Sequence, residues 1–302
     1  MSSEGGVARG YPALNLPCGV VLYPCHMRAH LVQTDIAWED PHENYRRIEE
    51  LLAGAGVEPG DFIVLPEMCD TGFSFNIERT ADVSGRTLTF LGELSLRYRA
   101  VVQGGRTIAA ERPDGERGGE VAMRGCNVTT VMSGGSRIAE YTKIHLFQRE
   151  DDRIDRGATV ITYSLPAPGG GGFTVCPAIC YDLRFPELFR AGLGKGADVF
   201  AIGACWPGVR IHHWRALLVA RAIENQAYVI GVNRVGRDPF TSYPGASMVV
   251  GPRGEVLCEM GEAAGVESVK LEPGEVAAWR EAFSAWKDGV LPPMASMRKD
   301  IT

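Results

Sequence analysis

The chain has 302 residues, 45% hydrophobic and 23% charged, enough apolar material to bury a large core as one big domain or two modest ones. A net charge of −6 and a pI near 5.6, with no run of Lys or Arg, exclude a surface built for nucleic acid or an anionic membrane. No apolar stretch approaches the roughly 20 residues of a bilayer-spanning helix, and eight scattered cysteines without a CxxC pair imply reduced thiols in a cytoplasmic protein, not a disulfide or zinc framework.

Residues 1–26 carry Gly and Pro, no helical period and no signal-peptide pattern, so a loosely ordered N-terminal extension is expected there, with translation starting upstream of a Met27 start. The folded domain is expected over 27–302. Its first strand is read at Arg28–Trp38. A helix follows at Pro41–Ala55, with Asp40 as N-cap, Pro41 at the first helical position, and Tyr45, Ile48, Leu51 and Leu52 on one face. The wholly apolar run Asp61–Pro66 reads as a strand buried on both faces, and it ends in Glu67.

A second unit has a helix at Thr87–Arg99 and strands at Ala100–Gly104, Ile108–Glu111, Cys126–Met132 and Ser136–Tyr141, the last two joined by the MSGGSR turn. The final strand runs into Lys143 and His145. The charged run Gln148–Gly157 reads as a surface loop, and Pro168–Gly172 as flexible turn material. Phe173–Ile179 is an apolar strand that ends in Cys180, and Pro186 and Glu187 suit the start of the next helix. Strand Asp198–Gly203, helix His213–Gln226, strand Ala227–Arg234, a hairpin of Ala246–Gly251 with Glu255–Glu259, strand Val266–Leu271 and helix Gly274–Trp286 complete the chain. The alternation predicts a single α/β domain with mixed sheets.

Three polar residues therefore terminate three apolar strands: Glu67, Lys143 and Cys180. Reaction sites of α/β sheets gather at strand ends, so the three can converge although they lie far apart in sequence. Their chemistry is complementary. A thiol needs a base, a partly desolvated carboxylate can be that base, and an ammonium can offset an oxyanion together with the N–H of Tyr181. Taken alone, Cys180 also fits an inert buried thiol.

The segments LPEMCDTGFSF, YTKIHLF and CYDLRFPELFR resemble the three catalytic signatures of the nitrilase, or carbon–nitrogen hydrolase, superfamily. WPGVRIHHW, ARAIENQAYVIGVNRVG, SMVVGPRGEVL and FSAWKD resemble its bacterial omega-amidase branch. This resemblance implies a four-layer αββα sandwich, often a homodimer. It implies hydrolysis of the terminal amide of small 2-oxo acid monoamides such as 2-oxoglutaramate and 2-oxosuccinamate, with no metal or organic cofactor. Carried over residue by residue, Glu67 is the general base, Lys143 the oxyanion stabiliser, Cys180 the nucleophile, and Glu111 the second glutamate near the site. The sequence departs from the pattern at Cys205, where relatives often have Asn, and at Ala246, where Asp is frequent; both are expected near the pocket.

Other residues keep two readings. Arg184 either grips a substrate carboxylate or pairs with Asp182 or Glu187. Trp206, Arg210, His213 and Trp214 either line the pocket or pack. His145 is either a Cys–His partner or a hydrogen-bonded structural residue, and Glu224 either anchors a neighbouring element or supports Lys143. The Trp279, Phe283 and Trp286 stripe reads as core or dimer contact. Hydrolysis of N-carbamoyl amino acids or of another linear amide, a non-catalytic scaffold, and thiol redox through Cys176 are the competing functions.

Overall fold

A computed structural model describes residues 27–111, 123–167 and 170–289. The expected N-terminal extension, residues 1–26, lies outside the described residues. The first half runs β1 (Met27–Gln33), α1 (Pro41–Ala53), β2 (Phe62–Val64), the one-turn α2 (Ile77–Thr80), α3 (Arg86–Tyr98), β3 (Val101–Glu111), β4 (Met123–Ser133) and β5 (Ser136–Thr142). The second runs β6 (Tyr163–Pro166), β7 (Gly172–Ile179), α4 (Pro186–Gly194), β8 (Val199–Ala204), α5 (Ile211–Asn225), β9 (Tyr228–Asn233), β10 (Val235–Arg237), β11 (Ser242–Pro244), β12 (Met248–Val250), β13 (Val256–Glu259), β14 (Gly265–Leu271) and α6 (Glu275–Ala282).

The strands form two six-stranded mixed sheets and the separate ribbon β10–β11. One sheet has the order β14-β1-β2-β3-β4-β5, with β1, β2 and β3 parallel and the flanking pairs antiparallel. The other has the order β13-β12-β9-β8-β7-β6, with β7, β8 and β9 parallel.

Side chains alternate across each strand, and this sorts the core into layers. Leu31, Phe62 and Val64 of one sheet meet Val175, Val199, Ala201 and Ile230 of the other. On the outer face of the first sheet, Ile63 and Val102 meet Ile48 and Leu52 of α1 and Leu91 and Leu94 of α3. On the outer face of the second, Cys176, Phe200, Ile202 and Val229 meet Phe189 of α4 and Trp214, Leu218 and Ala222 of α5. The result is the four-layer αββα sandwich. Each fully buried Ile or Leu on a helix contributes roughly 1.5–3 kcal/mol, so the layers are held mainly by these stripes.

Several expectations from local pattern are corrected. The two strands read around Gly104–Ile108 are one continuous β3, because Gly105 has a packing role described below. The first strand stops at Gln33. The strands β6, β10 and β11 are short and went unread. The last helix ends at Ala282, Phe283 is exposed, and Trp279 and Trp286 are half-buried beneath Arg253 and Arg280, so the aromatic stripe is not core. Asp40 does cap α1, its Oδ1 accepting from the Glu43 N–H at 3.1 Å.

Candidate active site

The chain leaves β2 as Leu65–Pro66–Glu67 and is pinched between the two sheets. A Cβ on Gly105 of β3 would lie 2.7 Å from the Glu67 Cα, and one on Gly203 of β8 would lie 3.0 Å from the Glu67 nitrogen. Both strands need glycine there. The Glu67 side chain is fully buried and completely bonded. Its Oε1 accepts from Asn127 Nδ2 at 2.8 Å and from Lys143 Nζ at 2.8 Å, and its Oε2 accepts from the Cys205 N–H at 3.0 Å.

Lys143 follows β5, and its N–H bonds the Asn127 carbonyl at 2.9 Å. Its buried Nζ donates to both oxygens of Glu150, at 3.0 and 2.8 Å, as well as to Glu67. Burying an ammonium is costly, and this one is tolerated because two carboxylates and good hydrogen bonds surround it. Burial works to strip its proton, but Glu67 and then Glu150 outweigh that and hold the ammonium well above the usual lysine range. Glu150 is raised, first by burial and also by Glu67, while Lys143 opposes the rise.

Cys180 ends β7 in the left-handed region, with φ of 45°. For a non-glycine residue this is a strained turn, of the kind that functional sites hold in place through their surroundings. Asp182 provides those surroundings. Its Oδ2 accepts from the Ile179 N–H at 3.0 Å and the Tyr141 hydroxyl at 2.8 Å, and its Oδ1 accepts from the His145 N–H at 3.0 Å. The buried carboxylate thus ties the turn carrying Cys180 to the segment carrying Lys143. Burial, and then the Glu67 charge, push the Cys180 thiol well above the usual range, although Lys143 pulls the other way. Its surroundings therefore favour the thiol over the thiolate.

Cys180 opens onto a cavity of about 670 Å³. Trp38, Phe73, Phe75, Tyr181 and Trp206 wall it, and Arg184 and Arg210 stand among them. Such a mainly aromatic cleft with a few polar groups is the usual form of a small-molecule site. Trp206 is held by its indole N–H to the Arg210 carbonyl at 2.8 Å and by its backbone N–H to Asn233 Oδ1 at 2.7 Å.

The structure therefore brings Glu67 and Lys143 into contact and places Cys180, Tyr181, Arg184 and Trp206 along one cavity. Glu111 ends β3, and its side chain lies outside the described residues. The buried glutamate beside Lys143 is Glu150, inside the run read as a surface loop. That loop is instead a 3-10 turn folded inward, and the Phe147 N–H also bonds the Glu150 carboxylate. Glu224 pairs with Arg221 at 2.9 Å and not with Lys143. His145 has Nδ1 2.8 Å from Asp182 and stacks on Phe185 at 3.7 Å, so it is a structural residue. Asp182 is occupied by these partners and leaves no acceptor for Arg184. Cys205 lines the cavity, but Ala246 does not; its carbonyl accepts from the Trp214 indole at 2.8 Å.

Residues 28–281 match the sequence model of the carbon-nitrogen hydrolase family, and the chain belongs to that family. It is 34% identical to 2-oxoglutaramate amidase from Bacillus subtilis, covering 89% of this chain and 97% of that one. Omega-amidase YafV from Escherichia coli K12 is 30% identical, over 87% of this chain and 96% of its own. Among solved structures, XC1258 from Xanthomonas campestris, a superfamily member with an arsenic adduct in its active site, superposes with a TM-score of 0.76 at 29% identity, over 88% and 98% of the two chains. Among the described residues, no helix is long and apolar enough to cross a membrane.

Proposed function

We propose that the protein is an omega-amidase, cleaving the terminal amide of small 2-oxo acid monoamides such as 2-oxoglutaramate to the acid and ammonia. The observation that carries this reading is a thiol lining an aromatic cavity, with a fully buried Glu67–Lys143–Glu150 cluster close enough for its charges to act on the sulfur, in a chain similar to proteins named for that activity.

In this mechanism Glu67 takes the Cys180 proton as the sulfur attacks the amide carbon, because burial and the Glu67 charge favour the thiol before attack. The oxyanion forms against the Lys143 ammonium and the Tyr181 N–H. Collapse of the intermediate breaks the C–N bond, Glu67 returns the proton to the departing nitrogen, and ammonia leaves a thioester on Cys180. Glu67 then draws a proton from water, which attacks the thioester, and the proton goes back to the expelled sulfur. Glu150 keeps Lys143 charged and aimed. Tyr181 and Trp206 contact the substrate, Arg184 holds the cavity wall on Trp206, and Glu111 stays a candidate for the rim of the site. The thiols of Cys69, Cys176, Cys180, Cys205 and Cys258 are free, which supports a reducing, cytoplasmic setting. A homodimer belongs to the same reading and is checked by light scattering.

The test is ammonia release from 2-oxoglutaramate, N-carbamoyl-β-alanine and glutamine, with intact-mass detection of an acyl adduct on Cys180. Turnover of the first, and an adduct lost in Cys180→Ala, is the expected result. Turnover of the carbamoyl compound alone, or an adduct on Cys205, would sink the reading.

A further inference from the structure

The mouth of the cavity is a closed circuit of rings and cations. The Arg210 guanidinium lies 5.2 Å from the Phe147 ring centre, Phe147 meets Tyr181 edge-on at 5.2 Å, and Arg184 lies 5.6 Å from Tyr181 and 4.7 Å from Trp206. Trp206 closes the circuit through its bond to the Arg210 carbonyl.

The two arginines differ in what their N–H groups do. Both terminal nitrogens of Arg184 face His213 Nδ1, at 3.4 and 3.3 Å, and its flat face covers Trp206. His213 is held below the ordinary imidazole range, first by desolvation and then by His212, Arg184 and Arg210, so it receives Arg184 as a neutral ring. Arg210 stacks on Phe147, and its guanidinium has no hydrogen bond or carboxylate among the described residues. Nearby acids do not supply one. Glu39 is taken by Ser74 at 2.6 Å and Arg79 at 3.1 Å, and Asp238 by the Tyr243 hydroxyl at 2.6 Å and the N–H groups of Phe240 and Thr241. Arg210 is also the N-cap of α5, whose first turn has no acidic residue and no side-chain cap, so the positive end of its dipole is uncompensated.

We propose that Arg210 is the specificity-determining fork for the substrate carboxylate, and that Arg184 is a positioning residue that sets the walls around it. Arg210 offers paired, parallel donors that match a carboxylate, on a stem already fixed by Phe147 and beside a helix N-terminus. Arg184 is already spent on His213 and Trp206. The substrate class this selects is an amide with an anionic group at the end away from the scissile bond, which deepens the omega-amidase reading and rests on it.

Two measurements on the full-length protein test this. In the first, kcat/KM is compared for 2-oxoglutaramate and for pentanamide, a neutral amide of the same chain length. Arg210→Gln is expected to cut the preference for the anionic amide roughly 10- to 100-fold, mainly through KM, and Arg184→Gln to leave that preference standing while slowing both. An unchanged preference in Arg210→Gln, or its collapse in Arg184→Gln alone, overturns the assignment. In the second, calorimetry follows 2-oxoglutarate binding to Cys180→Ala protein with and without Arg210→Gln. A loss of roughly tenfold or more in affinity is expected, and equal affinities overturn it. This arm reads the fork even where the amide does not turn over, so failure of the amidase reading is seen separately, as absent ammonia from 2-oxoglutaramate with binding intact.

Discussion

Beside Cys180, Glu67, Lys143 and Glu150 form a floor shut away from solvent and from the cavity lining, where every charge meets an opposite one, whereas at the cavity mouth Arg184 and Arg210 are half-exposed and meet rings. The floor is complete without a ligand. Its donors and acceptors are fixed by the fold, so nothing has to reorganise when charge develops in a reaction. At the mouth, Arg184 faces His213 and Trp206, and Arg210 faces Phe147 with no carboxylate bonded to it among the described residues. On the function proposed above, burial separates the groups that do the chemistry from those that recognise the substrate.

The sharpest way to break the floor is Lys143→Met, which leaves Glu67 and Glu150 buried side by side without a cation. Removing one member of a buried ionic cluster costs about 3–5 kcal/mol, so urea denaturation should show a loss of that order and hydrolysis should vanish. A loss below about 1 kcal/mol would mean that the cluster is not what holds the floor together.

Asp70, three residues beyond Glu67 and equally buried, is the contrasting case of a carboxyl with no cation beside it among the described residues. It is bonded to the Thr87 hydroxyl at 2.6 Å, and burial above all pushes its pKa up to about 6. Its folded value lies above its ordinary 3.8, so its contribution to stability is full below about pH 3.8 and is lost as pH rises through 6. The span amounts to roughly 3 kcal/mol. Asp70→Asn should flatten the stability profile between about pH 4 and 6, and an unaltered slope would refute the assignment.

The smallest effect expected is that of Glu150→Gln, which keeps a hydrogen-bonding side chain and removes one of the two carboxylate charges raising Lys143. Hydrolysis should fall roughly 10- to 100-fold, and the alkaline limb of kcat/KM should move to lower pH, since the ammonium then loses its proton more readily. A limb that moves upward would contradict this coupling.

Much of this contrast was legible in the sequence. Glu67, Lys143 and Cys180 each follow an apolar strand, and local patterning reports strand ends well. Glu150 was not legible, because Gln-Arg-Glu-Asp-Asp has the composition of a solvated loop. Its burial depends on Lys143 earlier in the chain and on a turn that only tertiary packing enforces. Asn127, and the role of Asp182 in holding the Cys180 turn, were not legible for a related reason, since their main partners lie far along the chain and no spacing announces them. The glycines of β3 and β8 were visible as residues, but their purpose depends on a backbone from elsewhere passing against them.

That passage of Pro66 and Glu67 between Gly105 and Gly203 bears on folding. The carboxylate is gripped from the first sheet by Asn127 and Lys143 and from the second by Cys205, a contact spanning 138 positions of sequence. Such contacts are among the slowest to form, because the chain entropy of long loops is lost before they reward it. Neither sheet alone can assemble the site. In a refolding experiment, native helix and strand signals should therefore return ahead of enzymatic turnover, which must wait for the two sheets to dock.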